Sequence, residues 1–170
     1  MKRRNSVIIL LFAALTAFTS CEKELNDSEK PVIVLSSPVE DAEIRPGSTL
    51  HFEMTLSDNE ALASYKVNIH GAFDGHEHSA SATTRVSEYA QPFERTWLES
   101  DFIALGEEPI AGKKRVTIHH HLMQVPDSIG GRPVKEGHYH LTLYCTDAEG
   151  QESFLTREVL ILYDAEEHVH

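Results

Sequence analysis

The side chains in this sequence that are best suited to chemistry are its histidines. Eleven occur in 170 residues, and eight of them form the pairs His76/His78, His119/His121, His138/His140 and His168/His170. In an extended strand, residues two positions apart point to the same face with Cα atoms about 6.5–7 Å apart, so two imidazoles can reach one ion at about 2.0–2.1 Å. The His-X-His spacing therefore predicts metal ligands.

The densest group of possible ligands lies between residues 70 and 78. His70, Asp74, His76 and His78 supply three imidazoles and one carboxylate. Imidazole combined with carboxylate suits zinc, copper, nickel or iron, whereas calcium requires more oxygen ligands. We therefore expect a transition-metal ion as the cofactor, with zinc as the expected ion, although the residues alone leave the other three metals open.

The pair His138/His140 belongs to a clear strand pattern. Tyr139 and Leu141 begin an apolar phase that continues to Cys145, so both histidines are predicted to lie on the opposite, polar face. The same parity places Cys145 in the core as a small buried hydrophobic residue. We therefore predict His138 and His140 as ligands and leave Cys145 out of the site.

The run His119-His120-His121 leaves two alternatives open. The strand parity changes near this run, so either His119 and His121 or His120 alone faces outward. The predicted site contains one of His119 and His121, and His168/His170 are left out because chain ends fray. The simplest competing interpretation is that all these histidines are polar surface residues without a metal. The complete set of candidate ligands is His70, Asp74, His76, His78, His119, His121, His138 and His140.

Strands must position these side chains, because a period of two dominates the sequence from Pro31 onward. About seven short apolar-polar segments alternate with turn signals, which is typical of an immunoglobulin-like antiparallel β-sandwich. We predict this all-β domain over residues 31–165, with Trp97 in its core and a long irregular loop from Asp74 to Thr84. No amphipathic helix is evident after the first thirty residues.

The first residues resemble an export signal. Lys2, Arg3 and Arg4 precede an apolar run at 7–18, which is too short to span a bilayer. Small residues then precede Cys21, the arrangement expected where a signal peptide is removed and the new terminal cysteine is lipidated. We predict a lipoprotein signal peptide at 1–20, lipidated Cys21 with a flexible tether at 21–30, and a tail at 166–170. An ordinary secreted protein with a stray cysteine is the alternative.

Charge and cysteine content restrict the partners and the source of stability. The formal net charge is −12, and removal of the signal segment would take away three basic residues and no acidic one. Nucleic acid is therefore not an expected partner. With Cys21 acylated, Cys145 has no cysteine to pair with, so the domain must be stabilised by its core.

The sequence also resembles a known family, the Bacteroidota surface lipoproteins with domain of unknown function 4625. The resemblance depends on the opening 31–35, the strand at 65–70, the segment 73–78, the histidine strand ending at Val125-Pro126, and 137–141 leading to Thr146-Asp147. It implies an immunoglobulin-like fold and a location on the exterior of the outer membrane. The histidine signatures of the family look like a shared metal site, but the resemblance implies no established activity.

Three functions compete at this point. The first is metal capture by a lipid-anchored surface protein, beside an outer-membrane transporter. The second is a metal-free accessory module that binds a protein or a glycan. The third, a metallohydrolase, needs a carboxylate as general base, and Glu77 would point away from its histidine neighbours in extended chain. We therefore expect a binding protein and no enzyme.

Overall fold

A computed structural model describes residues 28–73 and 89–165. Within these residues the chain forms ten strands and one short helix. They are β1 (Val32–Ser37), β2 (Ala42–Ile44), β3 (Thr49–Ser57), β4 (Leu62–Gly71), β5 (Arg95–Leu98), α1 (Glu99–Ala104), β6 (Arg115–Gln124), β7 (Ser128–Ile129), β8 (Arg132–Pro133), β9 (Gly137–Asp147) and β10 (Glu152–Ile161).

Two sheets form the sandwich. The three-stranded sheet has the order β1-β3-β6, and the five-stranded sheet has the order β2-β10-β9-β4-β5. Neighbouring strands run antiparallel, except that β2 runs parallel to β10. Buried side chains from both sheets join one hydrophobic core cluster. The predicted all-β, immunoglobulin-like sandwich is confirmed.

Strand β9 shows how alternating apolar and polar residues give a strand one buried face and one outward face. Tyr139, Leu141 and Cys145 are fully buried, whereas His138 and His140 on the alternate positions are half-buried and face outward. Burial, followed by the nearby acidic side chains, raises the pKa of the Cys145 thiol to about 12, so it stays protonated. The predicted core position of Cys145 is therefore correct.

Trp97 and the helix beside it close one edge of the core. Trp97 on β5 is buried as predicted, and α1 follows directly, although no helix was expected there. The Leu98 backbone N–H donates to the Asp101 carboxylate at 2.9 Å, and the buried Phe102 ring stacks on Tyr65 at 5.6 Å between centroids. Six residues are too few to show a helical period in the sequence, which explains the difference.

Several predicted segments lie outside the described residues. They are the signal peptide 1–20, the first part of the tether, the whole loop from Asp74 to Thr84, and the tail 166–170. Among residues 28–73 and 89–165, no helix has the length and apolar content needed to cross a membrane.

Candidate metal centre

Three histidine side chains meet on the outer face of the three-stranded sheet. They are His51 on β3 and His119 and His121 on β6. Each offers a ring nitrogen, and these nitrogens all lie within 4.8 Å of one another. Nε2 of His51 and Nε2 of His119 lie 3.0 Å apart.

The register of β3 and β6 explains why these rings face outward. Phe52 pairs with His120 across the two strands, and both side chains point into the core. Because side chains alternate along a strand, His51 and the two histidines that flank His120 must point the other way. The alternative that the sequence left open is thereby decided: His119 and His121 are exposed, and His120 is buried.

A β-bulge in β6 keeps His121 on the outer face while the strand changes phase. Leu50 pairs with Met123 and Phe52 pairs with His120, so one residue of β3, His51, lies opposite two residues of β6, His121 and Leu122. The extra residue allows both His120 and Met123 to be buried. His121 lies between them and remains exposed.

The three rings are close enough to contact one another. His51 stacks on His121 with centroids 4.8 Å apart and planes 6° apart. His119 meets both rings edge-on, at 5.1 Å from His51 and 6.0 Å from His121. Because His51 and His121 are stacked nearly parallel, their rings must rotate before three lone pairs can converge on one ion.

The His120 ring packs into the core, on the opposite side of β6 from the three-histidine group. Its ring stacks between Phe52, at 5.2 Å, and Phe102, at 4.7 Å. Burial is the main cause that lowers the pKa of His120, so the ring is neutral in the core. His120 is therefore a structural residue that fixes the direction of its two neighbours.

The donor set suits a transition metal. Ligand nitrogens around a tetrahedral zinc ion with bonds of about 2.0–2.1 Å are about 3.4 Å apart, within the range of these three. Three imidazoles leave at least one coordination position for water or another ligand. Glu53 pairs with His119 across the strands, so a carboxylate borders the rings on the same face.

The other predicted ligands that the structure describes lie on the five-stranded sheet. His70 on β4 pairs with His140 on β9, and their ring centroids are 5.5 Å apart. His70 Nδ1 also lies 2.7 Å from the Asn68 side-chain oxygen, and His138 Nδ1 hydrogen-bonds to Glu158. These histidines face outward from the sheet opposite the one that contains His119 and His121.

The predicted ligands are thus divided between two outer faces of the sandwich. A single ion shared by His70, His119, His121, His138 and His140 is incompatible with this arrangement, because the core separates the two groups. The remaining candidates, Asp74, His76 and His78, lie outside the described residues, as does the predicted lipidation site Cys21.

His51 is the member of this histidine group that sequence reasoning missed. It has no histidine two positions away, so a search for His-X-His pairs passes over it. One signal was present: His51 lies between Leu50 and Phe52, whose apolar phase predicts that it faces outward. Its closeness to His119 depends on strand pairing, which parity alone does not give.

A comparison with protein families identifies the family of this chain. The sequence model of domain of unknown function 4625 matches residues 19–162. The chain belongs to this family. The match includes all ten strands and therefore both histidine groups of this domain of unknown function 4625 protein. No curated protein sequence matches the chain.

Proposed function

We propose that the protein is a cell-surface lipoprotein that binds a transition-metal ion, with zinc as the expected ion, through His51, His119 and His121. The observation behind this proposal is that three ring nitrogens from two neighbouring strands lie within 4.8 Å of one another. Imidazole is a preferred ligand of zinc, copper and nickel.

The exposure of the site favours capture of an ion over a structural role. His119 and His121 are exposed, so an ion could enter and leave without opening the domain. The hydrophobic core lies behind them and is filled by buried side chains from both sheets. A structural metal is usually enclosed and replaces a missing core, as in zinc fingers. A site of this kind would suit a protein that passes metal to an outer-membrane transporter.

The location of the protein on the cell surface is part of the same proposal. The basic start, the short apolar run and Cys21 support export followed by lipidation. Glu22 and Glu24, just after Cys21, resemble the surface-export signal of Bacteroidota lipoproteins, which supports display on the cell exterior. Several acyl chains on one cysteine hold a protein to a membrane more firmly than one chain.

Replacement of Cys21 by alanine tests the anchor. We expect the variant Cys21→Ala to move from the membrane fraction to the soluble fraction of cells, because it has lost the residue that accepts lipid. Fractionation with immunoblotting measures the change, and incorporation of labelled palmitate should disappear in parallel. A variant that stays in the membrane fraction and still incorporates palmitate contradicts the anchor.

Metal uptake tests the binding function. The purified protein, stripped with a chelator and dialysed against Zn²⁺, should retain one more ion per chain than His119→Ala/His121→Ala. Elemental analysis measures the difference, because the double variant keeps only one of the three imidazoles. The matched control is His168→Ala/His170→Ala, which removes a pair with the same spacing and should retain as much zinc as the parent.

Two results would contradict the metal-binding proposal. One is a parent protein that retains no transition metal, and the other is an equal loss of zinc in the double variant and its control. A metal-free accessory module would then be favoured. The exposed Phe154 ring, which lies 6.2 Å from Tyr144 on the five-stranded sheet, would offer such a module an aromatic contact surface.

A further inference from the structure

The outer face of the five-stranded sheet contains a second group of ligand atoms. Asp41, His138 and Glu158 each offer one atom, and the three atoms lie within 4.8 Å of one another. His138 Nδ1 is hydrogen-bonded to Glu158 Oε1, and His140 Nε2 lies 4.0 Å from the other carboxylate oxygen of Glu158. Two carboxylates and two imidazoles are therefore close together.

Backbone pairing accounts for the position of each carboxylate. Asp41 directly precedes β2, which runs parallel to β10, and its backbone N–H donates to the Glu158 carbonyl at 3.0 Å. Asp41 has a φ of 57°, in the left-handed region that few residues other than glycine adopt. The hydrogen bond to β10 keeps Asp41 in this conformation, beside the Glu158 side chain.

The two histidines reach the same place from β9. His140 pairs directly with Glu158 of β10, and His138 lies two residues away on the same outward face. Side chains on directly opposite positions of an antiparallel pair have Cβ atoms about 4.5–5.5 Å apart. Both imidazoles are half-buried, which limits the number of rotamers they can adopt.

The local charge favours a cation. Asp41 and Glu158 supply two carboxylates, and Glu40 adds a third acidic side chain that accepts from the Glu158 backbone N–H at 3.3 Å. The neighbouring guanidinium of Arg157 donates to Glu40 at 3.2 Å. Arg157 is thus directed to Glu40, which leaves the Asp41 and Glu158 carboxylates to the two imidazoles.

We infer that this face binds a second divalent cation, through Asp41, His138 and Glu158, with His140 as an adjoining ligand. Mixed nitrogen and oxygen ligands differ from the three imidazoles of the first site, and they suit manganese, iron or zinc better than calcium. The cation would replace the hydrogen between His138 Nδ1 and Glu158 Oε1, so the ring must carry its proton on Nε2 and the two side chains must separate. This inference does not depend on the proposed function.

A carboxylate-to-amide change tests the second site. Glu158→Gln keeps the shape of the side chain and removes its charge, so we expect zinc affinity at this face to weaken at least about tenfold. Equilibrium dialysis against Zn²⁺ with elemental analysis of the full chain measures the lost ion. The matched control is Glu152→Gln on the same strand and the same outward face, where the carboxylate contacts Lys66 at 3.5 Å; it should bind as the parent does.

Nitrogen NMR of the histidine rings gives a readout that a simple His138–Glu158 ion pair would not produce. Addition of Zn²⁺ to the parent should shift the His138 Nδ1 resonance to the range of a metal-bound nitrogen, and Glu158→Gln should prevent the shift. Unchanged zinc binding in Glu158→Gln, or a His138 resonance that zinc does not move, would overturn the inference. His138→Ala provides a second variant if Glu158→Gln fails to fold.

The proposals for the two sites can be tested independently. Loss of an ion in Glu158→Gln but not in His51→Ala would support the second site and contradict the first. The reverse pattern would support the first site and overturn the second.

Discussion

Replacement of His51 by alanine is expected to weaken zinc binding at the three-histidine site at least about a hundredfold. Loss of a residue that merely supports a metal ligand costs about 10–100-fold in affinity, and His51 is proposed as a ligand itself. The two histidines that remain, His119 and His121, would hold the ion alone. Competition against a chromophoric zinc chelator measures the change, and circular dichroism checks that the fold is intact.

His70→Ala is the control for this prediction. It removes one imidazole of the same half-buried class, but from β4 of the other sheet. Its zinc affinity at the three-histidine site should equal that of the parent. Equal affinities for His51→Ala and the parent would mean that β3 contributes no ligand. That result would contradict the proposed three-histidine site.

Replacement of Phe52 by alanine is expected to lower the free energy of unfolding by about 3–5 kcal/mol, because truncation of a buried aromatic ring leaves a cavity. Phe52 is fully buried, and its ring stacks on His120. For a domain of this size the loss corresponds to a melting temperature roughly 10–20 °C lower. Urea denaturation and thermal unfolding measure both quantities.

Phe154→Ala is the matched control for the core. It removes the same ring from β10, where the side chain is 71% exposed, so its melting temperature should stay close to that of the parent. Similar losses of stability in Phe52→Ala and Phe154→Ala would contradict the burial on which the description of the core depends.

Strand parity was sufficient to predict much of the fold. Tyr139, Leu141 and Cys145 are buried where the apolar phase placed them, and His138 and His140 face outward. These predictions depend only on the period of two along one chain segment, which is a local property. The sandwich itself follows, since every such strand needs a partner for its apolar face.

Pairing between strands could not be obtained in the same way. His51 and His119 are 68 positions apart, and their contact depends on the register of β3 with β6. The bulge between His120 and Met123 changes the parity in mid-strand, so the sequence left the direction of this run open. The single predicted site became two groups because parity gives the face of a strand but not the sheet to which the strand belongs.

The separation of the two histidine groups by the core has a consequence for how the protein would respond to metal. Stacked sheets lie about 10 Å apart, and the ligands extend further from each outer surface. At physiological ionic strength, interactions between exposed charges fade over about 8 Å. Ions on opposite faces would neither share a ligand nor repel each other strongly. Occupancy should then follow the sum of two independent hyperbolic curves, so that the domain responds to metal concentration without a threshold.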